Sequence, residues 1–247
     1  MSARGAAFAA AVAMIIGPAP SYAAEAAGVH SVVELFTSQG CSSCPPADRI
    51  LGELARDPSV LAVSYSIDYW DYIGWKDTLA QPTYTQRQEA YAKTIGRGQV
   101  YTPQAIVNGL ADAIGSDRNQ IEAAESATAK RAGVLSVPMS IAEQGDAINI
   151  TVGAAPPGAP HSAGVYLLAL ASKRTVVIQR GENAGATITY SNVVRGITKV
   201  GEWSGAEMTL SANLAQARLD GADAYAVILQ QGDHAAPSTI LAAVKGP

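Results

Sequence analysis

Both cysteines of this 247-residue chain fall in one unit, Cys41-Ser42-Ser43-Cys44, and the segments on either side of it constrain the fold more than anything else. Upstream, residues His30 to Phe36 read as a short, mostly apolar strand of the kind buried in a parallel sheet. Thr37 to Gly40 is loop. Downstream, Pro45 and Pro46 suit a first helical turn, where a missing N–H is no loss. Ile50, Leu51 and Leu54 then share one helical face, while Asp48, Arg49, Glu53 and Arg56 stay polar and Pro58 stops the helix. Cys41 is thus expected at or just before the helix start, with Cys44 in or beside its first turn. Backbone N–H groups and the helix dipole favour an anion there, so a Cys41 thiolate should be stabilised. Lowering a thiol from about 8.5 to about 7 takes roughly 2 kcal/mol, within reach of a helix end. A bridge closing so small a loop removes little entropy from the unfolded chain, so stability alone is a weak reason for the pair.

The N-terminus sets the redox context. Arg4 precedes an almost unbroken apolar run from Ala6 to Ile16, Gly17 and Pro18 break it, and Ser21-Tyr22-Ala23 offers small residues at the cleavage positions. Residues 1–23 are therefore expected to be a signal peptide, the alternative being a retained anchor. No later segment is long and apolar enough to span a bilayer. A periplasmic or secreted protein follows, without stable membrane insertion after cleavage.

Beyond the helix, Val60 to Ile67 is a strand candidate, and an excursion over residues 68–98 carries a helix near Thr83 to Ile95. Gln104 to Val107 and Leu110 to Ile114 flank Asn108-Gly109, a strong hairpin signal. Asp117 with Gln120 fits a capping pattern for a helix to about Arg131, terminated at Gly133. This β-α-β-α-β-β-α order predicts an α/β domain, a mixed sheet with flanking helices, over residues 29–134. From Val137 the pattern changes. Ile148 to Val152, Val165 to Ala171, Thr175 to Gln179, Thr187 to Val194 and Tyr225 to Gln230 are β-rich, with one helix near Ala212 to Leu219. A sandwich-like second domain over residues 137–246 is the expectation.

Seventeen basic against 21 acidic residues, with no long run of either sign, give no footprint for nucleic acid. No Ser-His-acid arrangement, phosphate loop or zinc signature is present, and no cofactor is implied.

Tyr101-Thr102-Pro103, directly before the strand that ends at Asn108-Gly109, resembles the thioredoxin superfamily when taken with the cysteine unit. The resemblance implies that Pro103 is cis and faces the cysteines, and that the Thr102 backbone pairs with a bound substrate strand. From the residues alone Pro103 is equally an ordinary turn proline. Val33-Glu34-Leu35-Phe36 is similar to the superfamily strand carrying a buried acid, with Gly40 as one extra residue before the first cysteine. Glu34 would then take the Cys44 proton, whereas a structural ion pair or an exposed strand position is the plainer alternative. Tyr69, Trp70 and Trp75, with Tyr72, could line a groove beside the disulfide or form core for the excursion. The stretches Val33 to Asp48, Asp68 to Asp77 and Tyr101 to Gly109 resemble an exported bacterial thioredoxin-like family of unknown function. Gln179-Arg180-Gly181-Glu182-Asn183 and Asn192-Val193-Val194-Arg195 extend that resemblance into the second half.

Thiol–disulfide exchange is the function these features imply, with Cys41 attacking, Cys44 resolving, and protein or small-molecule thiols and disulfides, including a periplasmic redox partner, as its counterparts. The Ser-Ser spacer leaves the direction of electron flow open. A non-catalytic binding protein on the same frame is one alternative. A Cu(I) carrier is a lesser one, since His30, His161, His234, Met139 and Met208 are the only further soft or imidazole ligands of the expected mature chain and none neighbours the cysteines. Arg180, Glu182, Asn183 and Arg195 read as turn chemistry and surface pairs.

Overall fold

The computed structural model describes Met1 and residues 28–246, so the expected signal peptide lies outside the described residues apart from Met1. β1 (Ser31–Thr37) and β2 (Val60–Ser66) run parallel and wholly buried, joined by helix α1 (Pro45–Leu54). β1 pairs on its other edge with antiparallel β3 (Gln104–Val107), which turns into β4 (Ala111–Ile114). Asn108 and Gly109 supply the two positive φ angles, 53° and 71°, that a tight two-residue hairpin requires. Helix α2 (Pro82–Ile95) follows the 68–81 excursion. Helix α3 (Arg118–Thr128) is capped by the Asp117 side chain and ends before the expected Arg131.

The second half departs from the expected separate sandwich. Its strands are β5 (Met139–Gln144), β6 (Ala147–Val152), β7 (Ala163–Val177), β8 (Thr187–Trp203), β9 (Met208–Asn213), β10 (Ala224–Gln230) and β11 (Ile240–Lys245). β7, β8, β10 and β11 join the first-half strands in one mixed eight-stranded sheet, ordered β11-β10-β7-β8-β2-β1-β3-β4. The seam is a parallel bridge between Ser64 of β2 and Val193 of β8. Asn192 Nδ2 reinforces it by donating to the Ala62 carbonyl, as does Ser64 Oγ by donating to that of Ser191. A second, antiparallel sheet, β5-β6-β9, covers part of the large one, with Ile148, Ile150 and Val152 packing on Val165, Leu167 and Val227. Val165 to Ala171 is buried without alternation because that stretch has packing on both faces, so its periodicity could not distinguish a sandwich from a shared sheet. The expected helix near Ala212 to Leu219 reduces to the end of β9 and one turn, α4 (Leu214–Ala217).

Alternation along β1 decides what meets what. Val33 and Leu35 pack with Ala47, Leu51 and Ile121 on the α1 and α3 face. Val32 and Phe36 pack with Tyr65, Tyr84 and Tyr91 on the α2 face. Glu34 shares that second parity. Its Oε1 accepts from Arg87 Nε and Nη2 (2.9 and 2.7 Å), and its Oε2 accepts from the Tyr91 hydroxyl. Arg87 Nη2 also reaches Gln230 Oε1 at 2.9 Å, so β1, α2 and β10 share one buried polar cluster. Arg87→Met would leave the Glu34 carboxylate buried and unpaired, and urea denaturation should show a loss of about 3–5 kcal/mol. Breaking the exposed Arg118–Glu53 pair by Arg118→Met should change stability by no more than about 1 kcal/mol.

Candidate functional site

Cys41 and Cys44 form a disulfide, with Cα atoms 5.4 Å apart. Cys44 is the N-cap of α1: its carbonyl accepts from the amides of Ala47 (2.8 Å) and Asp48 (3.1 Å), and its own amide donates to Cys41 O at 3.2 Å. Pro45 and Pro46 occupy the first two helical positions, so two of the amides a helix end normally offers are absent. The expected cradle of backbone donors is therefore thinner than the spacing implied. A hydroxyl stands in its place: Ser43 Oγ lies 3.4 Å from Cys41 Sγ and 3.5 Å from the Thr102 carbonyl oxygen.

The Thr102–Pro103 peptide bond is cis, and Pro103 is buried. Through Ser43 the structure brings Thr102 to the cysteine loop. Trp70 Nε1 donates to Thr102 Oγ1 at 2.7 Å, and the Trp70 backbone and Cβ pack on Gly40. Trp75 Nε1 donates to Gln39 Oε1 at 2.8 Å. Trp70 and Trp75 therefore both brace the Gln39–Gly40 end of the loop, while Tyr69 and Trp70 also pack on the main core. Tyr72 stacks on Trp70 and is exposed. Beside Ser43 and Thr102 an open groove of about 530 Å³ is lined by Tyr101, Pro103, Arg97 and Asp112.

Glu34 is not brought to this side; both its oxygens are taken by Arg87 and Tyr91 on the α2 face. The acid on the α1 face is Asp48, four residues after Cys44 and so on the same helical side one turn on. It is buried, its Oδ1 accepts from Thr37 Oγ1 at 2.8 Å, and its Oδ2 has no hydrogen-bond partner. Burial pushes the Asp48 carboxyl up to about 7; the Thr37 hydroxyl opposes this and nearby Asp77 adds to it. Asp77 accepts from the Gln39 and Leu79 amides, both at 2.8 Å, and burial still pushes it up to about 6. The Tyr190 hydroxyl, also buried and without a partner, senses both charges. Sequence reasoning passed over Asp48 as a polar helix residue. The signal was its position four residues after Cys44, on the flank of the apolar face.

The Cys41 sulfur is nearly as buried as its partner, the residue being 2% exposed against 0% for Cys44. The β7–β8 turn lies against its loop. Asn183 Nδ2 donates to the carbonyls of Gln39 and Cys41, both at 2.9 Å, and Glu182 Oε2 accepts from the Ser42 amide at 3.3 Å. These two residues, expected to be turn chemistry, face the cysteines. Arg195 instead donates to Leu79 O and pairs with Asp220. Met139 and Met208 sit in the smaller sheet, away from the cysteine loop.

Fold and site together define a mixed α/β protein with a disulfide-forming C-x-x-C unit at a helix start. The chain belongs to the family described as protein of unknown function DUF1223, whose pattern matches residues 32–230. A crystal structure of a protein from Agrobacterium tumefaciens, 35% identical, aligns over 88% of this chain and 94% of its own with a TM-score of 0.78. HBP35 of Porphyromonas gingivalis, 12% identical, aligns over 89% and 75% with a TM-score of 0.56, a likeness of fold alone. No curated protein matches the chain in sequence.

Asp48 gives the folded protein a pH signature. Unfolded, the carboxyl ionises near 3.8; folded, it holds its proton to about 7. The folded state thus binds the extra proton, so this contribution is complete below about pH 4 and is lost as pH rises through 7. Asp48→Asn, which stays neutral, should flatten that decline. At pH 8 it should be more stable than the parent by roughly 2 to 4 kcal/mol, with little difference at pH 4, measured by denaturant titration of the oxidised protein.

Proposed function

We propose that this protein is an exported thiol–disulfide exchange protein on a thioredoxin-like frame, acting through Cys41 and Cys44. The observation that carries the reading is the disulfide at the start of α1 with Ser43 linking Cys41 to the cis Thr102–Pro103 segment. In the reducing direction, the Cys41 thiolate attacks a substrate disulfide, forming a mixed disulfide and expelling one substrate thiolate. Cys44 then attacks the Cys41 sulfur, its proton passing to the buried carboxylate of Asp48. The second substrate thiolate leaves, the protein is oxidised and the substrate reduced. The reverse sequence oxidises a substrate dithiol and leaves the protein reduced.

Thr102 presents its backbone to an extended substrate segment, held in place by Trp70 with Tyr69 packed beside it, while Trp75 steadies the loop through Gln39. Pro103 keeps the segment turned toward the sulfurs. The Ser43 hydroxyl donates to the thiolate, replacing part of what Pro45 and Pro46 withhold. Export, by the reading of residues 1–23, supplies a compartment where disulfides persist and where thiol and disulfide partners are available.

The burial of both sulfurs favours a second reading, a binding protein whose disulfide is inert. A Cys44→Ala variant expressed with its leader separates the two. Under exchange it accumulates mixed disulfides through Cys41 that are released by reductant; recovery of no covalent adducts from the exported fraction would overturn the exchange reading. Adding Ser43→Ala should slow adduct formation at neutral pH about threefold or more, because a hydrogen bond to the thiolate is lost.

A further inference from the structure

β7 and β8 continue past the body of the sheet and are joined at their far end by residues 178–186. The base of this tip is fixed: Ile178 N donates to Ala186 O (2.9 Å) and Gly185 N to Ile178 O (2.8 Å), and the Ile178 side chain is buried with Leu79, Tyr190 and Val193. Gly181, at φ +78°, allows the turn to press on the aromatic segment, where an added Cβ would stand 3.1 Å from that of Trp75. The remainder of the tip is held differently. Glu182, Ala184 and Gly185 are exposed, and Asn183 is half-buried only because its amide bridges the carbonyls of Gln39 and Cys41. An element with few buried apolar contacts, held by partly buried and exposed hydrogen bonds, opens at smaller free-energy cost than the core.

We propose that this tip is a built-in cap on Cys41, with Glu182 and Asn183 as the residues that set how readily its sulfur reacts. The proposal rests on the exchange reading. Asn183 acts on access: its two hydrogen bonds hold the turn over a cysteine whose neighbours Ser42 and Ser43 are exposed while it is not. Glu182 acts on charge. Its carboxylate takes the Ser42 N–H, one of the few amides left near the sulfur once Pro45 and Pro46 have removed two, and brings a negative charge to where the thiolate forms. Other charged groups near the pair are the buried acids Asp48 and Asp77, Asp71 beside Asp77, the exposed Arg180 on the tip itself, and the Arg97–Asp112 pair in the groove beside Ser43. Neither Arg97 nor any other cation hydrogen-bonds to the loop among the described residues, whereas Glu182 does, so its removal favours ionisation. A partner that displaces the tip exposes an alternation of Cys41 O, Ser42 N and Gln39 O that another polypeptide backbone can satisfy.

The test is site-resolved alkylation of the reduced full-length mature protein by iodoacetamide from pH 5 to 10, read by mass spectrometry. Asn183→Ala should raise the Cys41 rate about tenfold across the range, since it loosens the cap without changing charge. Glu182→Gln should move the midpoint of the Cys41 profile toward lower pH. Asn183→Leu, which has nearly the same shape and no charge but cannot donate to the two carbonyls, repeats the rate increase if the alanine variant folds poorly. Unchanged Cys41 rates and midpoint in these variants overturn the cap, as does a parallel rise at Cys44, which reports general loosening. Failure of the exchange reading looks different: Asn183→Ala combined with Cys44→Ala alkylates rapidly at Cys41 yet traps no mixed disulfide.

Discussion

The Glu34–Arg87 pair carries the architecture because neither charge can exist alone where it sits. Glu34 lies in the middle of a strand paired on both edges, and Arg87 reaches it from α2 with Tyr91 and Gln230 completing the shell. A buried ion pair of this kind adds little net stability over an apolar replacement, but it penalises any arrangement that separates its members. The helix, the central strand and a strand from near the C-terminus are therefore held to one geometry. The Arg87 guanidinium packs over the rings of Tyr65 and Tyr91, extending the same cluster into the core.

Spending Glu34 there has a chemical consequence on the opposite face. The acid nearest the cysteine helix becomes Asp48, which a strand-based reading could not supply because it lies on the helix itself. The Asp77 charge disfavours ionisation of Asp48, Asp71 does the same to Asp77, and both Asp48 and Asp77 are shielded from water. Groups whose proton affinity is raised by burial into the neutral range suit proton transfer to and from thiols. Donor supply at the sulfur is correspondingly sparse: two prolines remove amides, one serine hydroxyl is returned, and Glu182 competes for another amide.

The shared sheet explains how the second half comes to touch the site at all. The parallel bridge at Ser64 and Val193 places β8 alongside β2, so the turn preceding β8 emerges on the cysteine side of the molecule. In a detached sandwich joined by a linker, Asn183 and Glu182 would be ordinary turn residues. Here they lie about 140 residues from their partners in sequence and form hydrogen bonds with them.

Several features were legible in the residues because they are settled over one or two turns of chain. The buried strand before Cys41, the proline-led helix after Cys44, the Asn108-Gly109 hairpin and the Asp117 cap all follow from local periodicity, φ preference and capping chemistry. The weakly alternating, half-exposed β5 and β9 were not legible, since their pairing with β6 rather than their own composition makes them strands. Only tertiary structure decided that one sheet spans both halves, that Glu34 faces α2 while Asp48 is buried against Thr37, and that a distant turn hydrogen-bonds to the backbone of the cysteine loop. Those outcomes depend on which far-separated segments meet. Local sequence cannot state that choice, because it is made by the sum of long-range burial and pairing against the entropy of closing the loops between them.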